Sequence, residues 1–324
     1  MKILYGSTEI TGRFRRPDIA IGNFDGLHIG HKKVISKLIS GGRGSNEKVV
    51  MTFDPHPRTV LGEKQNGLRI MSIEHRISIL ERCGIDGVII VPFDNSVAYM
   101  SPSVFFEKFL LPFSPEKIYI GRNFRFGRDR TGDISLLKDI ASARCIAVHP
   151  VSPVMYNGRA VSSTWLRELI KGGQLDMAAK FLRRPVSVLG TVVAGDKRGS
   201  ALGTPTANID PHHEVLPPPS VYAVKARHTG SFHDGIMNIG YKPTFYGDRL
   251  EKRREPVIET HLFDFKGDLY GSDLEIYFIE KIRDELWFEN VSQLRGQISK
   301  DLQFARKILS DKDRIKKTYL NRVK

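Results

Sequence analysis

The sequence predicts two domains of different class. The first is an α/β domain on a parallel, doubly wound sheet; the second is an all-β barrel or sandwich closed by a C-terminal helix. Up to about residue 184, short apolar runs alternate with helical stretches, the rhythm of a sheet that binds its ligand at the carboxyl ends of the strands. From Pro185 onward, strand-like runs follow one another without helices between them. A glycine-rich turn, Gly22-Asn-Phe-Asp-Gly-Leu-His-Ile-Gly-His31, lies between the run Asp18–Ile21 and a helix-like segment starting at His31. Such a turn lets the backbone approach a ligand, and the helix start offers N–H groups and positive potential to phosphate.

The strands expected in the first half are Ile19–Phe24, Lys48–Phe53, Gly87–Phe93, Lys117–Gly121 and Cys145–Val151, with helices such as Ile73–Cys83 and Ser103–Phe109 between them. In the second half they are Ser187–Ala194, Val221–Arg227, Gly235–Ile239, Val257–Phe265 and Leu274–Ile282. Leu294, Ile298, Leu302, Ala305 and Leu309 then recur at helical spacing on one face. The boundary near Arg183-Arg184-Pro185 gives domains of residues 1–184 and 185–324.

At 324 residues the chain is long enough for two cores, and its 40 % apolar and 27 % charged content is that of a globular protein. No run approaches the eighteen or so apolar residues of a membrane span, and the first residues lack the pattern of a signal peptide. With only Cys83 and Cys145, a disulfide framework or zinc knuckle is not expected, and the cytoplasm is the expected compartment. The net charge of +14 is spread along the chain, with local densities at Arg122–Arg130, Lys252–Arg254 and Lys312–Lys324. A positive field draws in polyanionic small ligands such as nucleoside triphosphates. Without basic stripes interleaved with aromatics, nucleic acid is not an expected partner.

The turn at 22–31 is neither a Gly-x-x-x-x-Gly-Lys-Ser/Thr loop nor a Gly-x-Gly-x-x-Gly fingerprint. His28 and His31, three apart, can face the same phosphates; a metal pair is the competing reading. Three further segments end or follow strands. Thr52-Phe-Asp-Pro-His-Pro-Arg58 places Asp54 and His56 at the same rim, where they could equally be turn formers. Gly121-Arg-Asn-Phe-Arg-Phe-Gly127 carries Asn123 and Arg125. Val161-Ser-Ser-Thr-Trp-Leu-Arg167 opens a helix, so Ser163 and Thr164 offer hydroxyls to phosphate, or serve as a plain cap, with Arg167 one turn later.

In the second half, Gly190-Thr-Val-Val-Ala-Gly195 leads to Gly203-Thr-Pro205-Thr206-Ala-Asn208. Two small oxygen donors, Thr206 and Asn208, beside a proline-fixed turn suit Mg²⁺, which keeps waters and bridges to phosphates. A turn with an Asx or Ser/Thr motif is the alternative. In Val257–Phe265, Glu259 shares a face with His261 while Ile258 and Leu262 point the other way. Glu259 could accept the proton of an alcohol attacking a γ-phosphate, or pair with Lys252, Arg253 or Arg254 at the rim.

The His-x-Gly-His turn resembles that of the nucleotidylyltransferase superfamily. Together, Gly-Asn-Phe-Asp-Gly-x-His-x-Gly-His, Thr-Phe-Asp-Pro-His-Pro, Gly-x-Asn-Phe-Arg-Phe-Gly and Ser-Ser-Thr-x-x-Arg, from about Asp18 to Arg184, resemble the adenylyltransferase half of bacterial bifunctional riboflavin kinase/FAD synthetases. From about Pro185 to Leu309, Gly-x-Pro-Thr-Ala-Asn, Val-Tyr-Ala-Val, Asn-Ile-Gly-x-x-Pro-Thr-Phe, Glu-x-His-x-x-Asp-Phe and Asp-Leu-Tyr-Gly resemble the kinase half.

The resemblance implies a Rossmann-like nucleotidylyltransferase domain followed by a six-stranded Greek-key barrel. It implies phosphorylation of riboflavin to FMN with Mg·ATP, then adenylylation of FMN to FAD by a second ATP. In the first domain, Gly22, Phe24, Gly26, His28, His31, Ser163, Thr164 and Arg167 fall to ATP, and Asn123, Arg125, Asp54 and His56 to FMN. In the second, Gly190, Gly195, Gly203, Pro205, Thr206 and Asn208 fall to ATP, Thr206 and Asn208 to Mg²⁺, and Glu259 to the role of base. Expected partners are ATP, riboflavin, FMN and FAD; no membrane is expected, and self-association is left open. Thr204, Ala194, Ser220 and Trp287 depart from the common family pattern and bear on flavin affinity. The rival readings are an adenylyltransferase for another acceptor with the barrel as a sensor, and a flavin-responsive nucleic-acid regulator.

Overall fold

A computed structural model describes residues 1–6, 13–41, 46–62, 69–195, 204–241 and 256–311. Gly203, the basic stretch Lys252–Arg254 and the tail from Lys312 therefore lie outside the described residues. Contacts divide the chain into two compact units, Met1–Arg69 with Arg76–Ser163, and Ile70–His75 with Thr164–Lys324.

The first unit carries six parallel strands: β1 (Lys2–Tyr5), β2 (Asp18–Ile21), β3 (Lys48–Asp54), β4 (Gly87–Pro92), β5 (Lys117–Gly121) and β6 (Ala147–Val151). Their order is β1-β4-β3-β2-β5-β6. The chain runs outward from β2 through β3 to β4, then returns to place β5 on the other side of β2. That reversal makes the carboxyl ends of β2 and β5 a topological switch point, where doubly wound sheets leave a ligand crevice. Strands β3 and β4 are apolar on both faces, as strands covered on both sides must be. The helices are α1 (Ile29–Gly41), α2 (Pro57–Val60), α3 (Ile73–Arg82, its first three residues belonging to the second unit), α4 (Asn95–Ala98), α5 (Pro102–Phe109) and α6 (Ile134–Ser142). Ser101 and Asp133 cap α5 and α6 through their side chains. Phe105, Phe106 and Phe109 on one face of α5 join Ile19, Met51 and Ile118 of the sheet in one core. A small hairpin, β7 (Met155–Tyr156) with β8 (Arg159–Ala160), follows β6.

Besides residues 70–75, the second unit carries α7 (Ser163–Lys171, Ser163 itself lying in the first unit) and α8 (Leu175–Leu182), paired through Trp165 and Phe181 rings 4.8 Å apart. Six strands follow: β9 (Ser187–Val193), β10 (Ala207–Asp210), β11 (Ser220–His228), β12 (Ser231–Gly240), β13 (Val257–Leu262) and β14 (Asp273–Asp284). They close into a barrel in the order β10-β13-β12-β11-β14-β9. Three consecutive antiparallel strands, β11 to β13, with β14 returning beside β11, form a Greek key. Closure removes the exposed edges of the sheet. Gly190 permits it locally, because a Cβ there would lie 2.4 Å from the Asp210 carbonyl oxygen on β10. The last helix among the described residues, α9 (Val291–Ser310), packs Ala305, Ile308 and Leu309 against Ala223, Tyr277 and Ile279 of the barrel. Arg283 grips Asp301 of α9 with two N–H donors at 2.9 and 2.7 Å.

A buried ionic cluster lies inside the second unit. His75 donates from Nδ1 to Glu214 and from Nε2 to Glu275, each at 3.0 Å. Glu214 also accepts the backbone N–H groups of Ser72 at 2.7 Å and Leu189 at 3.0 Å. Burial works against the charged ring, but the two carboxylates outweigh it and raise the His75 pKa to about 9. At neutral pH the ring is an imidazolium between two carboxylates.

Candidate active sites

In the first unit a cleft of about 280 Å³ opens at the switch point. Its walls come from Gly22 after β2, Gly121–Phe124 after β5, Val151–Pro153 after β6, the histidine turn, and Val161–Ser163. Of the residues expected from sequence, the cleft gathers Gly22, Phe24, His28, His31, Asn123 and Ser163.

The histidine turn is held in an unusual backbone. Phe24 and Leu27, neither a glycine, adopt φ of 49° and 45°, and Gly26 adopts 86°. Such conformations persist only where the surroundings over-determine them. Thr52 donates from Oγ1 to the Asn23 carbonyl at 3.1 Å, and Ser163 donates from Oγ to the Asp25 carbonyl at 2.7 Å. Behind them the buried Arg76 donates to Thr52 Oγ1 at 2.8 Å and to the Phe53 carbonyl at 3.2 Å. Arg76 carried no signal in the sequence, since a lone Arg in a helical stretch reads as solvated surface.

His28 is the N-cap of α1. Its Nδ1 accepts the N–H of Gly30 at 3.1 Å and of His31 at 3.4 Å, the bonds that Ser or Asp usually supplies. Two of the helix-start N–H groups that the sequence offered to phosphate are thus used by His28 itself. The same bonds fix the tautomer: Nδ1 presents its lone pair, and the proton rests on Nε2. A Cβ on Gly30 would stand 2.9 Å from His28 Cε1, so only glycine leaves room for the ring.

The His31 ring stacks on His28 with centroids 3.8 Å apart and meets Phe24 edge-on at 5.4 Å. Burial first, then the nearness of His28 and Arg76, hold His31 well below the ordinary imidazole range, so its ring is neutral at pH 7. Its Nδ1 is buried with no hydrogen-bond partner among the described residues.

Other expected residues stand elsewhere. Asp54 pairs with Arg69 at 3.2 Å, and His56 caps α2 by accepting the Arg58 N–H at 3.2 Å. Arg125 pairs at the surface with Asp133 at 2.9 Å; that carboxyl is held below its ordinary range by the Leu136 N–H and by Arg125. Thr164 and Arg167 belong to the second unit, with Arg167 one turn beyond Ser163 on α7.

On the barrel, Asn208 of β10 lies in register with Glu259 of β13, and Glu259 with Asn238 of β12. Paired residues share a face, so these three form a polar row across three strands. The alternate positions Ile258, Thr260 and Leu262 are buried. A Cβ on Gly195 would fall 1.9 Å from Asn208 Nδ2, so this glycine admits the Asn208 side chain. His261 donates from Nδ1 to the Pro205 carbonyl at 2.7 Å. Of the four departures from pattern, Ser220 is buried and Trp287 is 83 % exposed. Among the described residues no cluster of His, Cys, Asp and Glu could hold a metal ion. Asn208 in this row and Thr206, two residues before it, carry neutral oxygens of the kind that suit Mg²⁺ when phosphates and waters complete its shell.

The FAD synthetase family model matches residues 13–165, and the riboflavin kinase model matches residues 182–309. A bifunctional riboflavin kinase/FMN adenylyltransferase of Bacillus subtilis is 36 % identical over 90 % of this chain and 92 % of its own length. The Escherichia coli protein of the same description is 33 % identical over 89 % and 91 %. A crystal structure described as a macrolide-efflux protein from Streptococcus pneumoniae superposes with a TM-score of 0.78 and 27 % identity, covering 94 % of this chain and 99 % of that one. Among the described residues of the present chain, no helix is long and apolar enough to cross a membrane.

Proposed function

The chain belongs to the bifunctional riboflavin kinase/FMN adenylyltransferases, and from that premise we propose how its residues divide the two reactions of flavin-cofactor synthesis. The protein is a riboflavin kinase and an FMN adenylyltransferase, with riboflavin, FMN and ATP as substrates. Residues 1–184 carry FMN adenylylation, and residues 185–324 carry riboflavin phosphorylation. The observation that carries this reading is the cleft at the β2/β5 switch point, walled by His28, His31 and Asn123.

In the adenylyltransferase, the FMN phosphate is already an adequate nucleophile toward the α-phosphorus of ATP. Positioning and charge stabilisation then supply the rate. His28 Nε2–H is a fixed donor toward the phosphates. The neutral His31 beside it adds no charge of its own, and Ser163, which lines the same cleft, meets the polyphosphate end of ATP only by turning its hydroxyl from the Asp25 carbonyl. Asn123 belongs to the FMN phosphate; Arg125, Asp54 and His56 join it only by leaving their present partners. The helix dipole of α1 adds positive potential as charge builds on the leaving pyrophosphate.

In the kinase, Glu259 accepts the proton of the ribityl 5′-hydroxyl as that oxygen attacks the γ-phosphorus and the bond from the γ-phosphorus to the bridging oxygen breaks, releasing ADP. Gly195 and Gly203 let the nucleotide approach the backbone. Gly190 has a packing reason of its own. Thr206 and Asn208 would hold Mg²⁺, which when bound screens the charge of the transferring phosphates. Cytoplasmic location is part of the same reading, supported by two cysteines that are both free thiols.

The test is to incubate the purified protein with riboflavin, ATP and Mg²⁺, with a parallel reaction started from FMN, and separate the flavins by chromatography. FMN followed by FAD in the first tube and FAD in the second are expected. No FAD in either tube would refute the adenylyltransferase assignment.

A further inference from the structure

The two oxygen donors assigned to the cation are not held alike. Asn208 is paired on both sides, with Glu259 on β13 and Val193 on β9. Thr206 stands one residue before the first ladder pair, Ala207 with Thr260. Pro205 before it has no N–H to donate. Among the described residues, one side chain grips this stretch: His261 Nδ1–H donates to the Pro205 carbonyl at 2.7 Å. Continuing the register by one step places Thr206 opposite His261, beside the pair Asn208 and Glu259 on the same face. The acceptor is a carbonyl, so Nδ1 must carry the proton.

We propose that His261 is a positioning residue of the kinase site, whose Nδ1–H bond to the Pro205 carbonyl holds Thr206 at the cation position beside Asn208. The inference rests on the assignment of Thr206 and Asn208 to Mg²⁺. A supporting bond that orients a metal ligand commonly affects metal affinity or activity by about 10- to 100-fold.

The test uses the full-length chain in three variants. His261→Phe keeps a ring but has no donor, His261→Asn keeps an amide N–H near the Nδ1 position, and Thr206→Val removes the proposed ligand. Mn²⁺ binding in the presence of ADP is read by electron paramagnetic resonance in a His28→Ala background, which weakens nucleotide binding at the other site. FMN formation is followed separately against Mg·ATP and against riboflavin.

His261→Phe should weaken Mn²⁺ binding and raise the KM for Mg·ATP by about tenfold or more, leaving the KM for riboflavin within about twofold. His261→Asn should recover most of that loss. FAD formation from supplied FMN, measured without the His28 substitution, should be unchanged in the His261 variants and reports that the chain is folded. If Thr206→Val weakens Mn²⁺ binding and His261→Phe does not, the positioning role is overturned while the metal assignment stands. If His261→Asn fails as badly as His261→Phe in a folded protein, the Nδ1–H bond is not what matters and the proposal fails. If Thr206→Val leaves Mn²⁺ binding intact, the metal assignment itself fails and takes this proposal with it.

Discussion

His28 caps a helix and lines the cleft with the same ring, so its placement depends on what lies beneath it. Gly30 is that floor, since any side chain there would push against His28 Cε1 and Nδ1. Gly30→Ala should therefore tilt the ring and slow FAD formation from FMN by about 100-fold, the scale of effect of a misplacement near 1 Å. FMN formation from riboflavin should be unaffected, and initial rates of the two reactions would check it. An unchanged FAD rate would mean that the ring's position does not matter. The residues around the histidines show how far sequence reasoning reaches. The His-x-Gly-His spacing and the Ser-Ser-Thr start were legible because each occupies one short stretch. Arg76 was not, because its partners Thr52 and Phe53 lie 24 and 23 residues away and only the fold brings them to it. Asp54, His56 and Arg125 were legible as polar residues at strand ends, but the partner each has taken was not.

The elements that could be read were those whose residues declare one environment. β3, β4 and β5 are apolar runs bounded by turn residues, and α9 repeats its apolar face every three or four positions. β10 escaped because Ala-Asn-Ile-Asp is short and half polar; it is a strand through its two neighbours, β9 and β13. β1 escaped in the same way as a four-residue edge strand with one buried residue. The cluster of His75, Glu214 and Glu275 was invisible, its members being separated by 139 and 200 residues. It has a consequence for the elements it joins. The folded pKa of His75, about 9, lies above its ordinary value of 6.5. The folded state therefore binds the extra proton, and its stabilisation is complete below about pH 6.5 and lost as pH rises through about 9. The amount is about 3 kcal/mol. Denaturant unfolding of the barrel unit between pH 6 and pH 10 should show that decline, and His75→Gln should flatten it. A native curve that stays level over this range would contradict the charged state of His75.

At the scale of the molecule, chemistry and folding divide the chain differently. The kinase motifs lie beyond Pro185, yet residues 70–75 cluster with the barrel and supply the cation between its two buried glutamates. A fragment of residues 182–309, the span of the riboflavin kinase match, would keep Glu214 and Glu275 and lose His75. Leaving buried charges without their partner costs about 3–5 kcal/mol. That fragment should unfold at markedly lower denaturant than the barrel of the full chain, which fluorescence-detected titration would show; equal midpoints would contradict it. The two activities are expected to separate by substitution rather than by excision. The most direct test of the account is therefore a crossed pair, His28→Ala and Glu259→Ala, each assayed from riboflavin and from FMN with flavins separated by chromatography. His28→Ala should form FMN from riboflavin at near-native rate and almost no FAD from FMN, while Glu259→Ala should form FAD from supplied FMN and almost no FMN from riboflavin. Loss of both activities together in either folded variant would contradict the division of the two reactions between these sites.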